Sequence, residues 1–150
     1  MKKILKKYTQ GFSLIEMTLV LSILAIVLVI QLPNIRNYSY NLLLKSTTQD
    51  LISDLREAQQ RTVTEQTIYS VVINTSLNSY DLIREPATII KTKVLPSNTT
   101  FGLISGLTDN KVSFNFVGAV SQSGTITINN NSNGSSKTID IRPSGYVDIQ

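Results

Sequence analysis

The sequence contains no cysteine and no histidine. Without cysteine there is no disulfide, no thiolate nucleophile and no zinc–thiolate site. Without histidine the commonest general acid–base near neutral pH is missing. Glycine is also scarce, with none between Phe12 and Gly102. That gap leaves no glycine-rich loop to cradle phosphate and no glycine to end a helix in this stretch. Acid is nearly absent at the start, where Glu16 is the only carboxylate before Asp50. The chain of 150 residues fits one domain plus an N-terminal segment.

The formal charge of +4 is carried by residues 1–11. Lys2, Lys3, Lys6 and Lys7 stand there without an acid, and the remaining ten basic and ten acidic side chains balance. Such a cluster ahead of an apolar run fits the positive-inside rule rather than a nucleic-acid patch. The run covers residues 12–32 and is interrupted only by Ser13, Glu16, Thr18, Ser22 and Gln31. Its twenty-one residues make about 31 Å of helix at ~1.5 Å per residue, enough to cross a hydrocarbon core of ~30 Å. A carboxylate near its head is costly unless paired, which marks Glu16 as a functional position. Ser13, Thr18, Ser22 and Ala25 are small enough to let another helix approach closely. A secretory signal would end in a small-residue cleavage site after the apolar core, and Val29-Ile30-Gln31-Leu32-Pro33 offers none.

The stretch Lys6-Lys7-Tyr8-Thr9-Gln10-Gly11-Phe12-Ser13-Leu14-Ile15-Glu16 resembles the class III signal of type IV pilins and pseudopilins. The resemblance implies a leader, residues 1–11, cut by prepilin peptidase between Gly11 and Phe12. It implies N-methylation of Phe12 and a filament-assembly role for Glu16. The amine of Phe12 in one subunit and the carboxylate of Glu16 in its neighbour would offset each other's burial, and a wrong register would leave both unpaired. Ser13 stands where threonine is commoner in that family. Pro33 falls where the family often has a proline, and a helix kink or short melted stretch is expected around 31–34.

Residues 33–67 continue the helix as an amphipathic segment. Leu44, Leu51, Leu55, Ala58 and Thr62 form one stripe, with Asp50, Asp54, Glu57, Arg61 and Glu65 expected mainly off it as a solvated face. The helix should end near 64–67. From Ile68 the period becomes two. Strands are expected at 68–74, 79–84, 88–94, 111–117, 124–129, 137–142 and 145–149, with a short one at 100–103 and an Asn-Gly turn at Asn133-Gly134. The fold class is therefore α+β: a long N-terminal helix on an antiparallel domain, residues 68–150, of about seven short strands, divisible into two sheets.

Phe114, Phe116, Gly118, residues 123–128, Ile139-Asp140-Ile141 and Ser144-Gly145-Tyr146-Val147 resemble the GspH/FimT-type minor pseudopilin domain. Tyr146 stands where that pattern has arginine. Size and element order are also similar to the ComGD-like competence pseudopilins. The resemblance implies a minor structural subunit, not an enzyme, with no cofactor. Its partners would be prepilin peptidase, other pilin-like subunits, the membrane in a single pass, and indirectly an assembly platform and ATPase. The β domain would be extracytoplasmic and then part of a pseudopilus. The machine would serve competence DNA uptake, type II secretion or type IV pilus biogenesis. A membrane-anchored binding domain that never polymerises is the competing class. Asp109, Asp140 and Asp148 are the candidate metal carboxylates, without the loop spacing of an EF-hand. Direct DNA binding would need Lys91, Lys93, Lys111, Lys137 and Arg142 on one face with Tyr80 or Tyr146 stacking.

Overall fold

The computed structural model describes residues 11–150; residues 1–10, with the leader lysines, and the side chains of residues 30–34 lie outside the described set. One helix, α1 (Leu14–Glu65), is followed by β1 (Tyr69–Asn74), β2 (Ser79–Arg84), β3 (Thr88–Val94), β4 (Thr99–Ser105), β5 (Lys111–Ser113), β6 (Gly124–Asn130), β7 (Ser136–Ile141) and β8 (Val147–Ile149). A 3-10 turn, Thr108–Asn110, precedes β5. The chain forms two compact units, one ending at Asn37 and the other Tyr38–Gln150.

Leucine, methionine and alanine favour helix through the long N-terminal stretch, no glycine interrupts it, and the many Ile, Val and Thr residues lower the propensity only slightly. The helix passes through residues 31–34 without interruption, so no stretch there is melted. It stops at Glu65. Gln66 takes the left-handed conformation usually left to glycine (φ 51°). Its side-chain amide donates to the carbonyl of Val63 at 2.7 Å, satisfying one acceptor of the last turn.

In the second unit the predicted stripe is the buried one: Leu44, Leu51, Leu55, Ala58 and Thr62 all lose their solvent. They pack against two four-stranded antiparallel sheets, ordered β3-β2-β1-β5 and β4-β6-β7-β8. Strand alternation supplies the other side of the core. Tyr69, Val71 and Ile73 of β1, Tyr80 and Leu82 of β2, Ile126 and Ile128 of β6, and Ile139 and Ile141 of β7 point inward. Each such side chain contributes about 1.5–3 kcal/mol by leaving water. Thr62 joins helix to sheet: its hydroxyl donates to the carbonyl of Ala58 at 2.9 Å and accepts from the Tyr69 amide at 3.0 Å.

Eight strands form. β5 is shorter than its alternating sequence suggests, because the side chain of Asn115 accepts from the amides of Val117 (3.0 Å) and Ala119 (2.9 Å) and turns the chain. Beyond it only the bridge Phe114–Val120 remains. The Asn133-Gly134 turn joins β6 to β7 as expected, with Gly134 at φ 70°. β4 leaves the first sheet altogether and begins the second.

Candidate functional site

The N-terminal end comes first. Gly11, Phe12 and Ser13 precede the helix in irregular backbone, and the Met17 amide donates to the carbonyl of Ser13 at 3.1 Å. Gly11 is open on the side where a Cβ would stand, and Phe12 is 78% exposed. Glu16 is exposed in the first turn of α1, where the helix dipole favours a carboxylate. Behind it, Leu19, Val20, Leu21, Ile23, Leu24 and Ile26 are all exposed. At about 100° per residue these positions point in every direction, so the helix is apolar all round. The hydroxyls of Thr18 and Ser22 donate to the carbonyls of Ile15 (2.9 Å) and Thr18 (2.7 Å) on their own helix. Among the described residues no helix is long and apolar enough to cross a membrane; the expected span over 12–32 includes residues 30–34, whose side chains are outside that set.

A second cluster lies between α1 and the first sheet, and it corrects the expectation for one residue. Asp54 belongs to the buried face, at 4% exposure, not to the solvated one. Its carboxylate accepts the hydroxyl of Tyr80 at 2.5 Å and the ammonium of Lys91 at 2.6 Å. Lys93 approaches the same carboxylate at 3.9 Å and pairs with Asp50 at 3.0 Å. Burial, and then the hydrogen bond to Asp54, push the Tyr80 phenol above its usual range. The hydrogen bond from Lys91 to Asp54 holds that ammonium above its usual range.

The same geometry answers where the strand cations go. Lys91 and Lys93 are held by Asp54 and Asp50, Lys111 by Glu85 at 2.6 Å, and Arg142 by Asp140 at 3.4 Å. The Lys111 ammonium in turn lowers the Glu85 pKa. Tyr80 is buried, and Tyr146 lies under the Arg142 guanidinium at 5.4 Å from its centroid. Asp140 and Asp148 face each other across β7 and β8, whereas Asp109 sits apart in the 3-10 turn. Among the described residues no group of three His, Cys, Asp or Glu side chains is placed to hold a metal.

The glycines of the C-terminal pattern form a lock on α1. Gln59 donates to the carbonyl of Gly118 at 2.6 Å, and Arg56 to the carbonyl of Val147 at 3.2 Å. A Cβ on Gly145 would collide with that same Gly118 carbonyl and with the Gln59 amide. Both glycines have positive φ, 89° and 83°. Gly118 and Ser144-Gly145-Tyr146-Val147, far apart in sequence, therefore make one structural contact that fixes the end of the β domain to the helix.

Two family patterns match the sequence. The prokaryotic N-terminal methylation motif covers residues 6–30, and the type II transport protein GspH covers residues 47–145, about two thirds of the chain. No curated protein sequence matches significantly. Solved structures share the fold. The type IV minor pilin FimU of Pseudomonas aeruginosa superposes with TM-score 0.62 at 12% identity, over 75% of this chain and 92% of that one. The minor pseudopilin EpsH from the type 2 secretion system of Vibrio cholerae superposes with TM-score 0.60 at 11% identity, over 71% and 95%. With the methylation motif at the head of the chain and the GspH pattern over residues 47–145, this chain belongs to the GspH family of type IV pilin-like minor pseudopilins.

Proposed function

We propose that the chain is a minor subunit of a short pseudopilus serving DNA uptake in competence. The observation that carries the subunit role is the exposed, all-round apolar helix with one carboxylate, Glu16, in its first turn. A helix of that kind needs a hydrocarbon or protein environment. Residues 12–32 anchor the precursor in the membrane in a single pass, with the lysine-rich leader in the cytoplasm and the β domain outside. Prepilin peptidase cuts between Gly11 and Phe12, Phe12 is N-methylated, and Pro33 marks a kink in the helix. An assembly platform and its ATPase then extract the subunit. In the filament Glu16 pairs with the Phe12 amine of a neighbour, so that two costly charges are buried together.

Similarity in size and element order to ComGD-like chains supports the competence machine. The GspH family pattern supports type II secretion as the second reading. DNA contact would belong to the filament as many weak phosphate contacts, since four of the five strand cations are already held by carboxylates. The test is a deletion strain assayed in parallel for transformation, protein secretion and piliation. Loss of transformation alone, restored by the wild-type gene, supports competence; loss of secretion with normal transformation refutes it.

A further inference from the structure

The two sheets end in four edge strands, β3 and β5 in one, β4 and β8 in the other. In an antiparallel ladder alternate residues turn their N–H and C=O groups away from the partner strand, and at an edge those groups are left for something else. Three of the edges are closed. On β8 the carbonyl of Val147 accepts from Arg56 at 3.2 Å, and the amide of Ile149 donates to the Asp148 carboxylate at 2.8 Å. On β4 one side chain, Asn78, donates to the carbonyl of Thr99 at 2.6 Å and accepts from the amide of Phe101 at 3.1 Å. On β5 the carbonyl of Ser113 accepts from the Ser121 amide at 2.9 Å, and the Lys111 amide donates to the carbonyl of Thr108.

β3 is different. The Leu95 amide donates to the carbonyl of Asn78 at 2.9 Å, which sets the phase of the ladder: Lys91 and Lys93 turn their backbone groups to β2, while Thr92 and Val94 turn theirs outward. Among the described residues no side chain or turn meets those outward groups. Every residue of the strand except Lys93 is exposed. Water satisfies an N–H or a C=O, but Ile89 and Val94, 58% and 66% exposed, stand apolar beside them. Resting on the subunit role proposed above, we infer that β3 is a docking edge, to which an extended segment from the β domain of an adjoining pilin-like subunit adds as a strand. The two faces of β3 state the chemistry of that segment. On the α1 side Lys91 and Lys93 each make one short contact, at 2.6 Å to Asp54 and 3.0 Å to Asp50, and their side chains stay 42% and 36% exposed. An ammonium has three donors, so a carboxylate on the added strand can share them. On the other side Ile89 and Val94 take apolar side chains. A second copy of β3 does not fit. Antiparallel self-pairing that matches the outward groups sets Thr92 against Thr92 or Thr92 against Val94, and either register places lysine opposite lysine.

The test uses the full chain in cells that assemble the filament. A photoactivatable phenylalanine analogue is placed at Ile89, and the cross-linked peptides are identified by mass spectrometry. Cross-links to one β-domain segment of a different pilin-like subunit are expected. The same probe at Val117, exposed on the turn after β5, should not reach that segment. Val94→Pro then removes an outward N–H that the ladder with β2 does not use, so the chain should melt within about 2 °C of wild type in detergent. In that background the cross-link from 89 should fall about tenfold or more. If Val94→Pro melts lower, Val94→Lys, which sets a charge on the edge, is measured instead and should give the same fall. Cross-links from 89 only to lipid, to helices or to β3 of a second copy, or a cross-link that survives in the folded variant, overturn the inference and leave the subunit role standing. A wild-type chain that never enters a filament overturns the subunit role itself, and the inference with it.

Discussion

Replacing Asp54 with alanine should be the most damaging single polar substitution in the β-domain unit. Asp54 is 4% exposed and holds two groups at once, the Tyr80 hydroxyl at 2.5 Å and the Lys91 ammonium at 2.6 Å. The two losses differ in size. The Lys91 side chain is 42% exposed and returns to water, so its ion pair contributes about 0–1 kcal/mol after screening. Tyr80, 3% exposed, cannot reach water and keeps an unsatisfied hydroxyl, which costs about 1–3 kcal/mol. The expected loss is about 1–4 kcal/mol, or a fall in Tm of roughly 10 °C for a unit of this size. Asp54→Asn keeps an acceptor for Tyr80 and should lose less. Tyr80→Phe removes the orphan, so in the Asp54→Ala background it should cost less than it does in wild type, by about 1–2 kcal/mol. The assay is denaturation of the full chain in detergent, followed by near-ultraviolet dichroism of the tyrosines. An Asp54→Ala chain within about 0.5 kcal/mol of wild type would refute the reasoning, because surface substitutions fall in that range.

Other outcomes follow from the same geometry. Gly145→Ala should destabilise by about 2–4 kcal/mol through collision with the Gly118 carbonyl at a positive φ. Gly134→Ala, which meets nothing within 4 Å, should cost only about 1 kcal/mol for its φ; equal thermal shifts for the two would contradict the lock. Lys91 and Tyr80 both hold their protons more tightly when folded, so their contribution is complete below their unfolded values near pH 10 and is lost as pH rises further. A denaturation series should show stability falling above about pH 10, less steeply in Tyr80→Phe. The lowered proton affinity of Glu85 runs the other way: held low by Lys111, it contributes above about pH 4.5 and loses that contribution as the medium is acidified. Glu16→Ala should leave membrane insertion intact and reduce filament incorporation by about tenfold or more, measured by immunoblot of sheared filaments.

Much of the architecture is legible in residue pattern alone. The buried stripe from Leu44 to Thr62 follows from helical spacing, and the strands follow from alternation and from turns such as Asn133-Gly134. Asp54 is not legible by residue type. It sits three after Leu51 and four before Ala58, which is the buried register, but a carboxylate there suggests solvent. Its partners, on β2 and β3, lie 26 and 37 residues away and are brought near only by the sheet. The length of β5 was misleading for a related reason: Phe114 and Phe116 keep the alternation while the side chain of Asn115 folds the backbone. Strand order is also beyond local pattern, since β5 returns to β1 while β4 departs to the other sheet. The Gly118–Gly145 contact shows why scattered pattern residues belong together: two chain segments and a helix meet where no Cβ fits.

The most direct test of the central claim is the N-terminus and intact mass of the protein taken from membranes, with and without prepilin peptidase. The account predicts a chain beginning at methylated Phe12 only when the peptidase is present. A chain still beginning at Met1 in both strains would contradict it.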